Sequence, residues 1–214
     1  MTPPISPPIR NRLHNMIRVD HAGEYAAVRI LQGQRAVFAR KNTQQQGKQG
    51  EQGEQGEQHE HILSLIDEMA EQEQKHLDTF DKMIIEQDVR PTLLSPLWHI
   101  AGFTLGAATA LMGARAAMAC TAAVEAEIDA HYATQEKELT RTKEAPDLVK
   151  TITAFRADEA AHRQTALDNG ASNGASNGAS KEDTENAEQA LAFPILDRLI
   201  RNGCKVAIRL SEKI

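Results

Sequence analysis

Aromatic residues are scarce in this chain: one Trp, two Tyr and five Phe among 214 residues. So small a share argues against an all-β protein, whose sheets favour aromatic and β-branched side chains. Cysteine is nearly absent. Cys120 and Cys204 stand apart and form no C-x-x-C, which argues against a disulfide framework and against a thiolate metal site. A reducing compartment fits that usage. Positive charge is not in excess. The formal net charge is -6, which argues against a general nucleic-acid surface. No Gly-x-Gly-x-x-Gly turn is present, so a resident nicotinamide or flavin domain is not expected. The first ten residues are Pro-rich and carry no apolar stretch, so they read as neither signal nor transit peptide.

Long apolar runs are missing as well, with one exception. From Leu97 to Val124 the only strong polar groups before Glu125 are His99 and Arg115. The part from Leu97 to Ala114 is of marginal length for a membrane span, and Gly102, Gly106 and Gly113 interrupt it. A buried helical hairpin and a helix lying in a membrane face are both open readings; spanning is the least favoured.

Ala, Gln, Glu and Leu dominate the composition, which favours helices. The length suits a single domain, read as residues 12–214 after an irregular lead-in at 1–11. Two low-complexity segments interrupt it. Residues 44–58 carry a Gly at every third position in their middle, and residues 169–180 repeat Asn-Gly-Ala-Ser. Neither can build a core, so both are expected to be flexible insertions. Around them the sequence predicts helices at about 13–40, 59–87, 114–142 and 146–167. An apolar segment at 97–114 and a basic amphipathic helix at about 184–210 are added to these four.

The four principal helices share an anomaly. In the second, the core spacing picks out Ile62, Ile66, Met69, Glu73, His76, Phe80 and Met83. In the last of the four it picks out Leu148, Ile152, Phe155, Glu159, His162 and Ala166. Each apolar stripe is thus interrupted by Glu-x-x-His, whose two side chains share a helix face. The first helix gives Ile17, His21, Glu24, Val28, Leu31, Arg35 and Phe38, and the third gives Met118, Thr121, Glu125, Ile128, Tyr132, Gln135 and Leu139. Each carries a Glu in phase, with Glu127 as the rival to Glu125. Glu-x-x-His spacing alone is weak evidence, because a chain with eight His and this much Glu produces such pairs by chance. The phase is the stronger signal. A buried carboxylate costs several kcal/mol unless compensated, and a bundle holding two metal ions takes one Glu-x-x-His from each of two helices and a Glu from each of two others.

The candidate ligands are therefore Glu24, Glu73, His76, Glu125, Glu159 and His162. Oxygen-rich donors with two imidazoles suit iron or manganese. Two of the Glu should bridge, and each His needs its second ring nitrogen held. Asp158 is placed to hold the His of the other pair, with His131, Tyr132 and Asp20 as further supports. His59 and His61 are expected on the surface. Gly23, beside Glu24, weakens its helix by about 1 kcal/mol against Ala and predicts close backbone packing there.

The segments Arg18-Val-Asp-His-Ala-Gly-Glu-Tyr25, Gln72-Glu-Gln-Lys-His-Leu77, Val124-Glu-Ala-Glu-Ile-Asp-Ala-His-Tyr132 and Asp158-Glu-Ala-Ala-His162 resemble the four metal-bearing helices of the demethoxyubiquinone hydroxylases of ubiquinone biosynthesis. The resemblance runs from about residue 12 to the C-terminus, apart from the two insertions. It implies an all-α, ferritin-like four-helix bundle with two iron ions. Glu24, Glu73 and His76 would hold one iron and Glu125, Glu159 and His162 the other, with Glu73 and Glu159 bridging. It implies ring hydroxylation of a polyprenylated demethoxy-benzoquinol by dioxygen, with two electrons from an external donor. It also implies a membrane surface and other ubiquinone-biosynthesis proteins as partners, and a peripheral place on the cytoplasmic side of the cell membrane. The residues themselves leave two alternatives open: a ferritin-like iron-oxidising or storage protein, and a metal-free helical adaptor at a membrane.

Overall fold

The computed structural model describes residues 6–46, 54–172 and 193–213, all in helices, turns or short connections. Six helices are described: α1 (Pro7–Gln46), α2 (Glu54–Glu86), α3 (Ser95–Leu111), α4 (Ala114–Thr142), α5 (Pro146–Ser172) and α6 (Phe193–Ser211). The architecture is all-α, as the composition indicated. α1 pairs with α2 and α4 pairs with α5, and the two pairs face each other to close a four-helix core. α3 lies along α1, and α6 lies against α4.

Several boundaries differ from the sequence reading. α1 begins at Pro7, so residues 7–11 are helix rather than an irregular lead-in. Proline suits a first helical turn, because the N–H it lacks would have no partner there. The insertion at 44–58 lies partly outside the described residues; 44–46 and 54–58 are helical. Residues 169–172 likewise extend α5, while 173–180 lie outside the described residues, as does the expected start of the last helix.

Helix ends follow local chemistry. Pro91 lies in the break between α2 and α3, and Pro96 in the first turn of α3. α4 ends at Lys143, whose φ of 57° is left-handed, and the Glu144 amide donates to the Leu139 carbonyl at 3.1 Å.

The core divides along the bundle axis. One cluster gathers Leu13, Ile17, Phe80, Tyr132, Leu139, Leu148 and Ile152. A second gathers Leu31, Phe38, Ile62, Ile66, Met69, Met118 and Ala166, and a third, smaller cluster of Ile30, Cys120, Ala123, Val124 and Ile200 lies toward α6. The in-phase Glu and His residues fall between the first two of these apolar layers on every one of the four core helices. Arg35 departs from its predicted place in the stripe. It is exposed and pairs with Asp67 at 2.6 Å, while the neighbouring Gln34 is buried and donates to the Ala117 carbonyl at 3.0 Å.

Close backbone packing occurs, but not at Gly23. A Cβ on Gly106 would collide with the Ile30 carbonyl, and one on Gly33 with the Phe103 carbonyl. These contacts seat α3 directly on α1. At Gly23 a Cβ would meet nothing within 4 Å, so the expected backbone contact there is overturned.

Candidate metal centre

Glu24 on α1, Glu73 and His76 on α2, Glu125 on α4, and Glu159 and His162 on α5 are all buried, none more than 3 % exposed. The structure brings the six together as two overlapping groups. One comprises Glu24, Glu73, His76 and Glu159; the other comprises Glu73, Glu125, Glu159 and His162. Within each group the donor atoms lie within 4.8 Å of one another. Glu73 and Glu159 belong to both.

Both imidazoles turn Nδ1 inward. His76 Nδ1 lies 3.2 Å from Glu159 and 3.6 Å from Glu24, and His162 Nδ1 lies 2.8 Å from Glu73. The outward nitrogens are held. His76 Nε2 donates to Asp158 at 3.1 Å, and His162 Nε2 donates to Gln72 at 2.5 Å. Asp158 was legible beforehand; Gln72 was not. Its signal was the shared register, since each stands one residue before the in-phase Glu of its helix. Tyr132 donates to Glu24. Asp20 accepts from Gln135 at 2.7 Å and lies 3.3 Å from His131, one turn before Glu24. His76 also stacks on Phe155, with ring centroids 3.9 Å apart.

The rival carboxylate Glu127 is buried too, but it faces α6, where Arg201 lies 3.1 Å and Lys205 3.7 Å away. His59 is half-buried against the Phe38 ring rather than on the surface, and His61 meets Asn169 at 3.0 Å. Neither belongs to the two groups.

The electrostatics of the donor set call for cations. Burial, followed by the charge of Glu73, pushes the Glu24 carboxyl well above the usual range. Burial, followed by the charge of Glu159, does the same to Glu125. For His76, burial works against the charged form. The nearby Glu159 and Glu24 carboxylates outweigh it and raise the imidazolium to about 11. His162 is raised to about 9 against the same burial, by Glu159 and Glu73. Glu159 is lowered to about 2: the pull of His162 and His76 exceeds its burial. Burial keeps Tyr132 protonated, as its donation to Glu24 requires.

Protons alone thus satisfy this centre poorly. Among the described residues, both oxygens of Glu73 and of Glu159, Glu24 Oε2, Glu125 Oε2 and both Nδ1 atoms are buried without a hydrogen bond of good geometry. Orphaned buried polar atoms are costly. These atoms belong to the two donor groups, within each of which the ligand atoms lie within 4.8 Å of one another. Four carboxylates and two inward imidazole nitrogens fit a pair of divalent cations in number, charge and donor type.

An apolar cavity, partly open to solvent, lies between α1, α3, α4 and α6; none of the six donors lines it, but the chain neighbours of Glu24 and Glu125 do. Gly23 and Ile30 of α1, Trp98 of α3, Val124 and Ile128 of α4, and Cys204 and Ala207 of α6 are among its walls.

Comparison with known proteins agrees with this geometry. The family model described as ubiquinone biosynthesis protein COQ7 matches residues 11–63 and 49–211. The 3-demethoxyubiquinol 3-hydroxylase of Rhodospirillum rubrum is 42% identical over 94% of this chain and 78% of its own length. The mitochondrial NADPH-dependent 3-demethoxyubiquinone 3-hydroxylase of Mus musculus is 39% identical over 95% of this chain and 79% of its own. The mitochondrial 5-demethoxyubiquinone hydroxylase of Saccharomyces cerevisiae is 32% identical over 94% and 78%. With a family model spanning nearly all of it and relatives this similar along most of their length, the chain belongs to the ubiquinone biosynthesis protein COQ7 family.

Proposed function

We propose that this protein is a di-iron monooxygenase that hydroxylates the ring of a polyprenylated demethoxy-benzoquinol in ubiquinone biosynthesis. The carrying observation is the pair of donor groups sharing Glu73 and Glu159, in a chain whose relatives are named for this hydroxylation. Glu24 and His76 would hold one iron and Glu125 and His162 the other, with Glu73 and Glu159 available to both. When bound, two ferrous ions supply electrons for cleaving dioxygen.

The rest falls to the chain. Asp158 and Gln72 fix the tautomer and direction of the two imidazoles. Tyr132 holds one oxygen of Glu24. The apolar layers on either side exclude water from the reacting centre. One oxygen atom replaces a ring hydrogen as hydroxyl and the other leaves as water, consuming two electrons and two protons. The electrons come from an external donor. The mouse relative carries NADPH dependence in its name, so a reduced nicotinamide is the first donor to test.

A polyprenyl substrate resides in a membrane, and the surface beside the cavity supports contact with one. No helix among the described residues is long and apolar enough to cross a membrane. However, α3 exposes Leu97 and Ile100, and α6 exposes Ile195, Leu199, Val206 and Leu210. Arg198, Lys205 and Arg209 of α6 are exposed as well. Apolar anchors with basic neighbours favour an anionic lipid face, such as the cytoplasmic leaflet. We read the protein as peripheral on that face.

The deciding experiment reconstitutes the full chain with Fe(II) anaerobically, then adds dioxygen, a reductant and a demethoxy-benzoquinol. We expect about two irons per chain, loss of iron in Glu159→Ala, and hydroxylated product from the wild type alone. A chain that takes up no iron overturns the reading. Iron oxidation without product moves the assignment to iron storage.

A further inference from the structure

Gly23 sits inside the long helix α1, immediately before Glu24. Ala there would stabilise the helix by about 1 kcal/mol. No neighbour forbids it, because a Cβ would meet nothing within 4 Å. Two other glycines of the α1–α3 contact, Gly33 and Gly106, are required by backbone contact; Gly23 is not. What its missing side chain leaves is space, and that space belongs to the apolar cavity.

The position of the cavity gives the space a use. Gly23 precedes Glu24, and Val124, on the facing wall, precedes Glu125. The two carboxylates that belong to only one donor group each therefore have their chain neighbours in the cavity lining. His76 and His162 come from α2 and α5, which contribute nothing to it. A flat ring entering between α1 and α4 approaches the centre from its carboxylate side.

Resting on the hydroxylase reading, we infer that Gly23 is a specificity-determining residue: its bare Cα keeps open the cavity in which the benzoquinol ring and the root of its tail are held beside Glu24 and Glu125. Helix stability is given up for substrate room.

The sole tryptophan, Trp98, lines the same cavity and reports on its occupancy. The test titrates the iron-loaded full chain with a decyl-tailed benzoquinone and follows Trp98 fluorescence, with iron content and thermal unfolding measured in parallel. Gly23→Leu is expected to raise the quinone Kd by about tenfold or more while retaining iron, as overfilling a fixed space does. Gly23→Ala is expected to weaken binding less and to melt no lower than wild type. Ala207→Leu, which fills the cavity from α6 and leaves α1 untouched, is expected to weaken binding in the same way. If Gly23→Leu and Ala207→Leu bind the quinone as wild type does, the inference is wrong while a hydroxylating wild type leaves the proposed function standing. If the iron-loaded wild type neither quenches with quinone nor hydroxylates, both fall.

Discussion

Gln72 and Asp158 occupy the same place in their helices, one residue before a buried glutamate, and each holds the imidazole carried by the other's helix. The two are not chemically equal. Asp158 brings a charge to His76, whereas Gln72 offers His162 a neutral carbonyl. Replacing such partners lowers metal affinity by about 10–100-fold. Asp158→Ala should show the larger loss and Gln72→Ala the smaller, measured by iron retention against a competing chelator. Equal retention in both variants and wild type would contradict the assignment of these supports.

Protons and metal compete for the same atoms, and the direction follows from the shifts. His162 and His76 are raised to about 9 and about 11 in the metal-free fold. Groups raised above their unfolded values stabilise the fold fully below the ordinary histidine range, and that contribution fades as pH climbs through the folded values. Glu24 and Glu125, also raised, act in the same direction from lower pH. Glu159, lowered to about 2, acts oppositely, but its change is complete above the ordinary carboxyl range. The chelated protein should therefore melt lower at about pH 9 than at about pH 6.5. Iron uptake should release protons into a weakly buffered indicator solution and strengthen as pH rises. A melting temperature that rises over that interval in the chelated protein would refute this.

The α1–α3 contact makes a separate claim. Gly106→Ala places a methyl against the Ile30 carbonyl, which only a backbone shift can relieve. A loss of about 1–3 kcal/mol is expected by denaturant unfolding, the opposite sign to Gly23→Ala.

Docking of α6 rests partly on Glu127. Arg201→Ala removes a partner at 3.1 Å and leaves Lys205 at 3.7 Å. Faster amide exchange across 193–211 is expected, with the four-helix core unchanged. A hydrogen bond to a charged group contributes about 1.5–3 kcal/mol, and less here because Arg201 is partly exposed.

The exposed apolar face of α6 is tested on lipid. Leu199→Glu with Val206→Glu should reduce co-sedimentation with anionic vesicles, leaving iron content at the wild-type level. Undiminished sedimentation would remove α6 from the membrane contact.

The sequence made some of this readable and hid the rest for physical reasons. The six donors stood out because a charged or imidazole side chain in phase with Ile17, Ile66 or Ile152 has no inexpensive reason to be there. Gln72 did not stand out, since an uncharged amide on the polar side of a helix looks like any solvated residue. Glu127 was noticed as the rival of Glu125, but its partner was hidden, because Arg201 lies 74 positions away on another helix. Gly23 was noticed but explained wrongly. A glycine seen in sequence does not tell whether the space beside it is filled by another backbone or left open. The start of α1 was missed because Pro7 and Pro8 read as a break, although proline opens a helix as readily as it ends one.

Neither donor group can be completed by one half of the chain. Glu24, Glu73 and His76 wait for Glu159, and Glu125, Glu159 and His162 wait for Glu73. A complete donor group therefore exists only where both helix pairs are made and joined, and whatever holds the pairs together also holds the site. A chain truncated before α5 would leave the synthesis machinery with no complete pocket for iron.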